Sequence, residues 1–162
     1  MAVSRPTEQV ARLRPATEGD REFLVRVYWS TRSEELALTC WPQAETDEFV
    51  RMQFDLQDRH YRTAFPDAER SIVEIDGHPV GRLYVQRVDR EIRILDIALL
   101  PRFRRRGIGG GLLADLVDEG SRSGRPVRIH VEARNPAISL YKRLGFVRVA
   151  DEGVYHLMER PA

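Results

Sequence analysis

The sequence predicts an α+β domain with one central mixed, mostly antiparallel sheet flanked by helices. Three patterns lead there. Apolar residues recur at helical spacing between positions 20 and 65. β-Branched runs separated by tight-turn residues fill positions 71–100. One helical stretch then divides that meander from further strand-like runs. The 162 residues, 1–162, fit a single domain able to bury most of the surface its unfolded form exposes.

Ala11 to Pro15 reads as a short first strand, ending at a turn over Thr17-Glu18-Gly19-Asp20. Phe23, Leu24, Val27 and Tyr28 follow at helical spacing, with Thr17 and Asp20 as candidate caps. A second helix is expected from Thr46, an N-cap candidate with Asp47 and Glu48 in the first turn. Phe49, Met52, Leu56 and His60 would share its apolar face, and Pro66 stops it.

The period then changes to two. Ser71–Ile75 is short and β-branched, and Asp76-Gly77 has the chemistry of a hairpin turn. Val80 to Val88 forms the next strand, with Gly81, Leu83 and Val85 on one face; Asp89-Arg90 turns into Ile92–Leu100, closed by Pro101. A helix through Leu112, Leu113, Leu116 and Val117, ending near Gly120, leads to a strand over Val127–Val131. Because a helix separates them, that strand and its predecessor are expected to be parallel neighbours. Pro136 opens a short helix that Gly145 ends, and Phe146–Val149 and Val154–Met158 are the last strands.

Composition excludes several classes. The hydrophobic fraction of 42% and charged fraction of 31% are ordinary for a soluble globular protein. No apolar run approaches the length of about 18 residues that suggests a membrane span. Met1 to Pro6 lacks an apolar core and cleavage site, so no secretion signal is expected. Cys40 is the sole cysteine, which excludes an internal disulfide framework and fits a reducing cytoplasm. The four histidines and one cysteine show no metal-ligand spacing, so no metal is expected. A net charge of +1 gives no global basic field for nucleic acid.

The strongest chemical signal is Pro101, a basic loop at Arg102, Arg104, Arg105 and Arg106, glycines at 107, 109, 110 and 111, then a helix. Glycine lets backbone approach a ligand, and a helix start offers unsatisfied N–H groups and the positive dipole end. The ligand should therefore carry phosphate, and a diphosphate suits best. The loop lacks the Gly-Lys-Ser/Thr ending of a nucleoside-triphosphate site, and it follows a meander rather than the first strand of a parallel sheet. A helix start with solvated arginines would explain the loop taken alone.

The stretch Ile97 to Leu113 resembles motif A of the GNAT acetyltransferase superfamily, Gln/Arg-x-x-Gly-x-Gly/Ala, matched by Arg104, Gly107 and Gly109. Downstream, Asn135-Pro136-Ala137-Ile138-Ser139-Leu140-Tyr141-Lys142-Arg143-Leu144-Gly145-Phe146 resembles motif B in its Asn, Leu-Tyr and Gly-Phe positions. One helix and one strand separate the two motifs, as in that family. The resemblance covers positions 70–150 well and the first 65 in outline.

The resemblance implies an N-acetyltransferase that moves an acetyl group from acetyl-CoA to a primary amine by direct attack in a ternary complex. Two strands of such a fold diverge into a V-shaped cleft for pantetheine, which backbone of Ile97, Ala98 and Leu99 would pair like an added strand. The Leu99 N–H would polarise the thioester carbonyl. Backbone from Arg105 through Gly107 and Ile108 to Gly109 and Gly110 would hold the pyrophosphate, with Arg104, Arg105 and Arg106 adding charge. Asn135 would cap the short helix and contact the cofactor. Tyr141 is the implied general acid for the departing thiolate, against the alternative of a packed aromatic.

For the general base, Glu132 comes first, with Asp96, His130 and His156 as alternatives. Asp96 is a carboxylate in an apolar strand and needs a partner or a raised pKa. The apolar phase slips between Ile94 and Leu95, which fits a local bulge or a strand buried on both faces. The acceptor amine would meet Tyr28, Trp29, Glu34, Glu35, Trp41, Gln53, Gln57, His60 and Tyr61, walls suited to a cation unless they simply close the core. Cys40 lies far from both motifs, against an acetyl-cysteine route. The competing class is a catalytically inactive acyl-CoA-binding or sensing module. No nucleic-acid or membrane partner is expected, and a homodimer is compatible with the resemblance.

Overall fold

The computed structural model describes residues 9–162. The Met1–Pro6 segment lies outside the described residues. In chain order the elements are β1 (Ala11–Pro15), α1 (Arg21–Ala37), α2 (Gln43–Ala64), β2 (Glu69–Ile75), β3 (His78–Val88), β4 (Glu91–Leu99), α3 (Ile108–Ser123), β5 (Val127–Glu132), α4 (Ile138–Arg143), β6 (Val147–Glu152) and β7 (Tyr155–Arg160). The strands form one sheet in the order β1-β2-β3-β4-β5-β7-β6. Every neighbouring pair is antiparallel except β4 and β5, which are parallel across the α3 crossover. This is the predicted α+β class.

Each sheet face has its own core. On one, Leu83, Val85, Ile92, Ile94, Val127 and Ile129 meet Leu112, Leu113 and Leu116 of α3 and Tyr141 of α4. On the other, Ile72, Ala98 and Leu100 meet Phe23, Leu24, Val27 and Tyr28 of α1 and Val50 and Phe54 of α2. Each fully buried large aliphatic side chain contributes about 2 kcal/mol of hydrophobic stabilisation.

Several local readings need correction. Helix α2 starts at Gln43 rather than Thr46, because the Pro42 carbonyl accepts the Glu45 and Thr46 N–H groups, both at 3.1 Å. Thr46 is buried inside the helix, its Oγ1 turned back to the same carbonyl. Its core face is Thr46, Val50 and Phe54, so Met52 and Leu56 point outward at 49% and 51% exposure. Asp20 gives α1 no side-chain cap. Its carboxylate receives both terminal nitrogens of Arg14 at 2.8 Å and the Thr17 N–H at 2.8 Å, locking a 3₁₀ turn before the helix. Helix α3 runs past Gly120 to Ser123 and ends at Gly124, whose φ of +66° suits glycine. Gly120 serves packing instead: a Cβ there would lie 2.7 Å from the Arg125 carbonyl.

Candidate active site

The site begins where the sheet parts. Tyr84 of β3 stands opposite Asp96 of β4, but Val85 stands opposite Ile94, so Leu95 is an extra residue in β4. That bulge is the phase slip seen in the sequence. Strand β4 pairs with β5 only at Ile92–Val127, Arg93–Arg128 and Ile94–Ile129. Beyond Ile94 the two strands separate, while β5 stays paired to β7 as far as Glu132. The result is a V-shaped gap between the end of β4 and the end of β5.

Ladder alternation decides which backbone groups face the gap. The Leu100 N–H donates to the Val80 carbonyl at 2.9 Å, and Arg82 stands opposite Ala98. In an antiparallel pair every second residue bonds its neighbour, so Ala98 turns its own polar groups to β3. Ile97 and Leu99 turn theirs outward, into the gap. Of the three residues expected to pair a ligand, only Ile97 and Leu99 thus offer backbone groups to the gap. Close approach of β3 sustains this edge: a Cβ on Gly81 would sit 2.3 Å from the Ala98 carbonyl.

The loop lies at the tip of β4. After a 3₁₀ turn at Pro101–Phe103, Arg105 adopts φ +58° and Gly107 φ +80°, both left-handed. The first helical bond of α3 runs from Gly111 N–H to Gly107 O at 2.9 Å, so the N–H groups of Ile108, Gly109 and Gly110 precede the ladder. Among the described residues, no protein acceptor meets the N–H groups of residues 105–110. Gly107 and Gly111 have open space where a Cβ would be. Six N–H groups thus lie at or just before the positive end of a 16-residue helix, a place able to hold an anion.

The arginines divide their tasks, contrary to the expectation that all three add charge to one spot. Arg104 turns away from the helix start: its Nε donates to the Leu99 carbonyl at 2.8 Å, and Nη2 reaches Ser30 Oγ at 3.3 Å. Arg106 lies over the Phe103 ring at 5.7 Å, with Arg102 over the same ring at 4.8 Å. Arg105 is exposed beside the free N–H groups.

Tyr141 sits on α4 with 4% exposure, packed edge-on against Phe146 at 5.7 Å. Burial, helped by the Asp96 carboxylate, pushes its phenol up to about 12. No protein acceptor takes its hydroxyl among the described residues. Asn135 lies one turn before α4, whose N-cap is Ala137 rather than Asn135. The Asn135 side chain accepts the Ala137 N–H at 2.8 Å and its carbonyl the Ile138 N–H at 3.1 Å, an Asx-type turn that starts the helix.

Of the candidate bases, Glu132 ends β5 at the gap with a half-exposed side chain, 3.9 Å from Arg32 of α1. His130 is directed to Glu152 at 3.1 Å, and His156 lies on the opposite face of the β5–β7 pair. Asp96 is already committed, for it receives Arg82 Nη2 at 2.9 Å and Nε at 3.1 Å. The Tyr61 hydroxyl bridges Asp96 and the carbonyl of the bulged Leu95, both at 3.2 Å. Burial and the Asp96 carboxylate raise the Tyr61 pKa. Gln57 accepts the remaining Arg82 contact at 2.9 Å.

This network was not foreseen from sequence, although an arginine in the apolar run Val80–Val85 was its signal. It also draws Gln57 and Tyr61 away from the acceptor wall. Tyr28 is buried against Phe54 as a core residue. Trp41, Glu34 and Glu35 remain exposed on the α1–α2 side, with Trp41 edge-on to Phe49. A cavity of about 1320 Å³ lies on the β1 side of α3, bordered by Arg12, Asp76, Arg106, Gly107 and Asp115. None of Leu99, Glu132 and Tyr141 lines it. Among the described residues no group of three or more His, Cys, Asp or Glu is placed to hold a metal, and no helix is long and apolar enough to cross a membrane.

The model of the acetyltransferase (GNAT) family matches residues 30–146, from α1 through both motifs. No curated protein matches in sequence. Among solved structures, the PaiA N-acetyltransferase of Thermoplasma acidophilum, in complex with coenzyme A, is similar with a TM-score of 0.70 and 19% identity, over 94% of this chain and 99% of that one. An acetyltransferase from Thermus thermophilus gives a TM-score of 0.69 at 22% identity, over 96% and 99%. Ard1 of Thermoplasma volcanium gives 0.62 at 23%, over 94% and 97%.

Proposed function

The chain belongs to the acetyltransferase (GNAT) family, and from that premise we propose that it moves an acetyl group from acetyl-CoA to a primary amine in a ternary complex. The observation that carries the reading is the parting of β4 and β5 beyond Ile94, set against six N–H groups that meet no acceptor among the described residues. A strand-like pantetheine fits the first and a pyrophosphate the second. The coenzyme A complex of the similar T. acidophilum enzyme supports the same ligand class.

Acetyl-CoA supplies an activated acyl carbon and a thiolate leaving group. In the proposed reaction Ile97 and Leu99 orient the pantetheine through backbone hydrogen bonds, and the Leu99 N–H holds the thioester oxygen as negative charge develops there. Glu132, at the mouth of the gap, takes the proton of the acceptor ammonium, directly or through water. The amine nitrogen forms the new C–N bond as the C–S bond breaks. Tyr141, kept protonated by burial, gives its hydroxyl proton to the sulfur, and the second proton, shed by the nitrogen as it becomes an amide, restores the phenol through solvent. The acceptor enters from the side of Glu34, Glu35 and Trp41, which suits a cation. A cytoplasmic site of action completes the proposal.

The experiment is calorimetry with acetyl-CoA followed by a thiol-release assay over a panel of small amines and peptides. Binding with amine-dependent release is expected. Absence of binding would sink the cleft assignment. Binding without release on every amine would favour an acyl-CoA-sensing module.

A further inference from the structure

We propose that Arg104 is a positioning residue for acyl transfer, holding a fixed positive charge beside the Leu99 N–H and tying that donor to helix α1. The proposal rests on the reading of the gap as an acyl-CoA cleft.

A basic side chain in a phosphate loop is expected to point at phosphate. The Arg104 guanidinium points the other way, with Nε 2.8 Å from the Leu99 carbonyl. Its Nη2 reaches the Ser30 carbonyl at 3.4 Å and Ser30 Oγ at 3.3 Å. The Ser30 hydroxyl in turn donates to the Val27 carbonyl at 2.6 Å, fixing it on the helix. One guanidinium therefore joins three parts: the tip of β4, the loop and the acceptor-side helix.

The Leu99 carbonyl and N–H leave the same side of the strand, because the Leu100 to Val80 bond fixes the alternation. A cation bound to that carbonyl consequently stands at the edge into which the N–H points. Charge that develops on a thioester oxygen held by Leu99 N–H would meet that cation at short range. Such an interaction strengthens in the transition state and acts on turnover more than on binding. Arginine suits the task because it stays charged at every working pH and its planar fork reaches two acceptors at once. Arg104 is exposed in the free chain, where water weakens its field. A ligand along β4 would exclude that water. Arg105 and Arg106 make no such contact, Arg106 lying over Phe103.

The test compares wild type with Arg104→Gln and Arg104→Lys in the thiol-release assay, with calorimetry on acetyl-CoA and a thermal melt for each. Glutamine keeps a donor for the Leu99 carbonyl but removes the charge. We expect its kcat to fall about tenfold or more, with the KM for acetyl-CoA and the melting temperature nearly unchanged, and lysine to restore much of the lost kcat. Wild-type kcat in Arg104→Gln would overturn the proposal. So would equal losses in both variants accompanied by a lower melting temperature, which mark a purely structural contact. A wild-type chain that binds no acetyl-CoA overturns the cleft reading and this proposal with it; one that binds it but releases no thiol with any amine keeps the cleft and overturns acyl transfer together with this proposal. Turnover in the wild type that Arg104→Gln matches overturns the proposal alone.

Discussion

Arg82, with only 2% of its surface exposed, grips Asp96 across the β3–β4 ladder through Nη2 at 2.9 Å and Nε at 3.1 Å. Both groups lie beside the Leu95 bulge, and Tyr61 closes the arrangement from α2. Removing one member leaves the other charge buried without its partner. Asp96→Ala should therefore cost on the order of 3–5 kcal/mol in urea unfolding, while Arg82→Met with Asp96→Leu should cost far less. A loss near 1 kcal/mol, the size of an average substitution, would mean that water reaches the pair.

Tyr141→Phe removes only a hydroxyl, and the ring should still pack on Phe146. Turnover should fall about a hundredfold if the phenol is the acid, with acetyl-CoA affinity little altered. Because its pKa is pushed up to about 12, the group stays protonated throughout the working range. The alkaline limb of the rate profile below about pH 10 should then be the same in wild type and variant. A limb present only in wild type would assign an ionisation there to Tyr141.

Two glycines separate stability from binding. A Cβ on Gly81 would collide with the Ala98 carbonyl at 2.3 Å and with Leu99 Cδ2 at 2.6 Å. Gly81→Ala should lower stability by about 1–3 kcal/mol, the range of overpacking, measurable as a lower melting temperature. Gly107 has free space but φ +80°, so Gly107→Val carries backbone strain and sets a side chain over the free N–H groups. Its main effect should be loss of acetyl-CoA binding, read by calorimetry. Unchanged affinity would displace the pyrophosphate from this loop.

Asp20 should set an acid limb of stability. The Arg14 guanidinium, hydrogen-bonded to its carboxylate, holds that group well below the usual range, although partial burial acts in the opposite direction. A depressed folded-state pKa gives stability that is present above the unfolded value near 4 and is lost as pH falls toward the folded value. Melts between pH 5 and pH 2 should therefore show a steeper decline in wild type than in Asp20→Asn. Parallel declines would count against the pair.

The meander, the crossover and both motifs were legible because each rests on local chemistry. Asp76-Gly77 makes its turn, and Gly107 supplies the left-handed start of α3. The phase slip at Leu95 was visible as well, but choosing a bulge over a doubly buried strand required the partner strand. Arg104 shows why side-chain direction was not legible. Composition marks it as basic, while the Leu99 carbonyl across the loop decides where it points. Helix α2 failed for a related reason: Phe49, Met52, Leu56 and His60 form a plausible stripe, yet the sheet receives Thr46, Val50 and Phe54. Arg82 and Asp96 each looked anomalous alone, and only the register joins them.

The parting of β4 from β5 sets bare strand edges in the middle of a sheet, not at its margin. At a margin, such an edge invites another protein chain. Here each strand keeps its other neighbour, β3 for β4 and β7 for β5, so the unpaired groups lie within the sheet and leave a berth. Whatever lies there becomes a structural member of the sheet. Heat resistance should then rise with ligand concentration, by about 2.7 kcal/mol at a hundred times the dissociation constant.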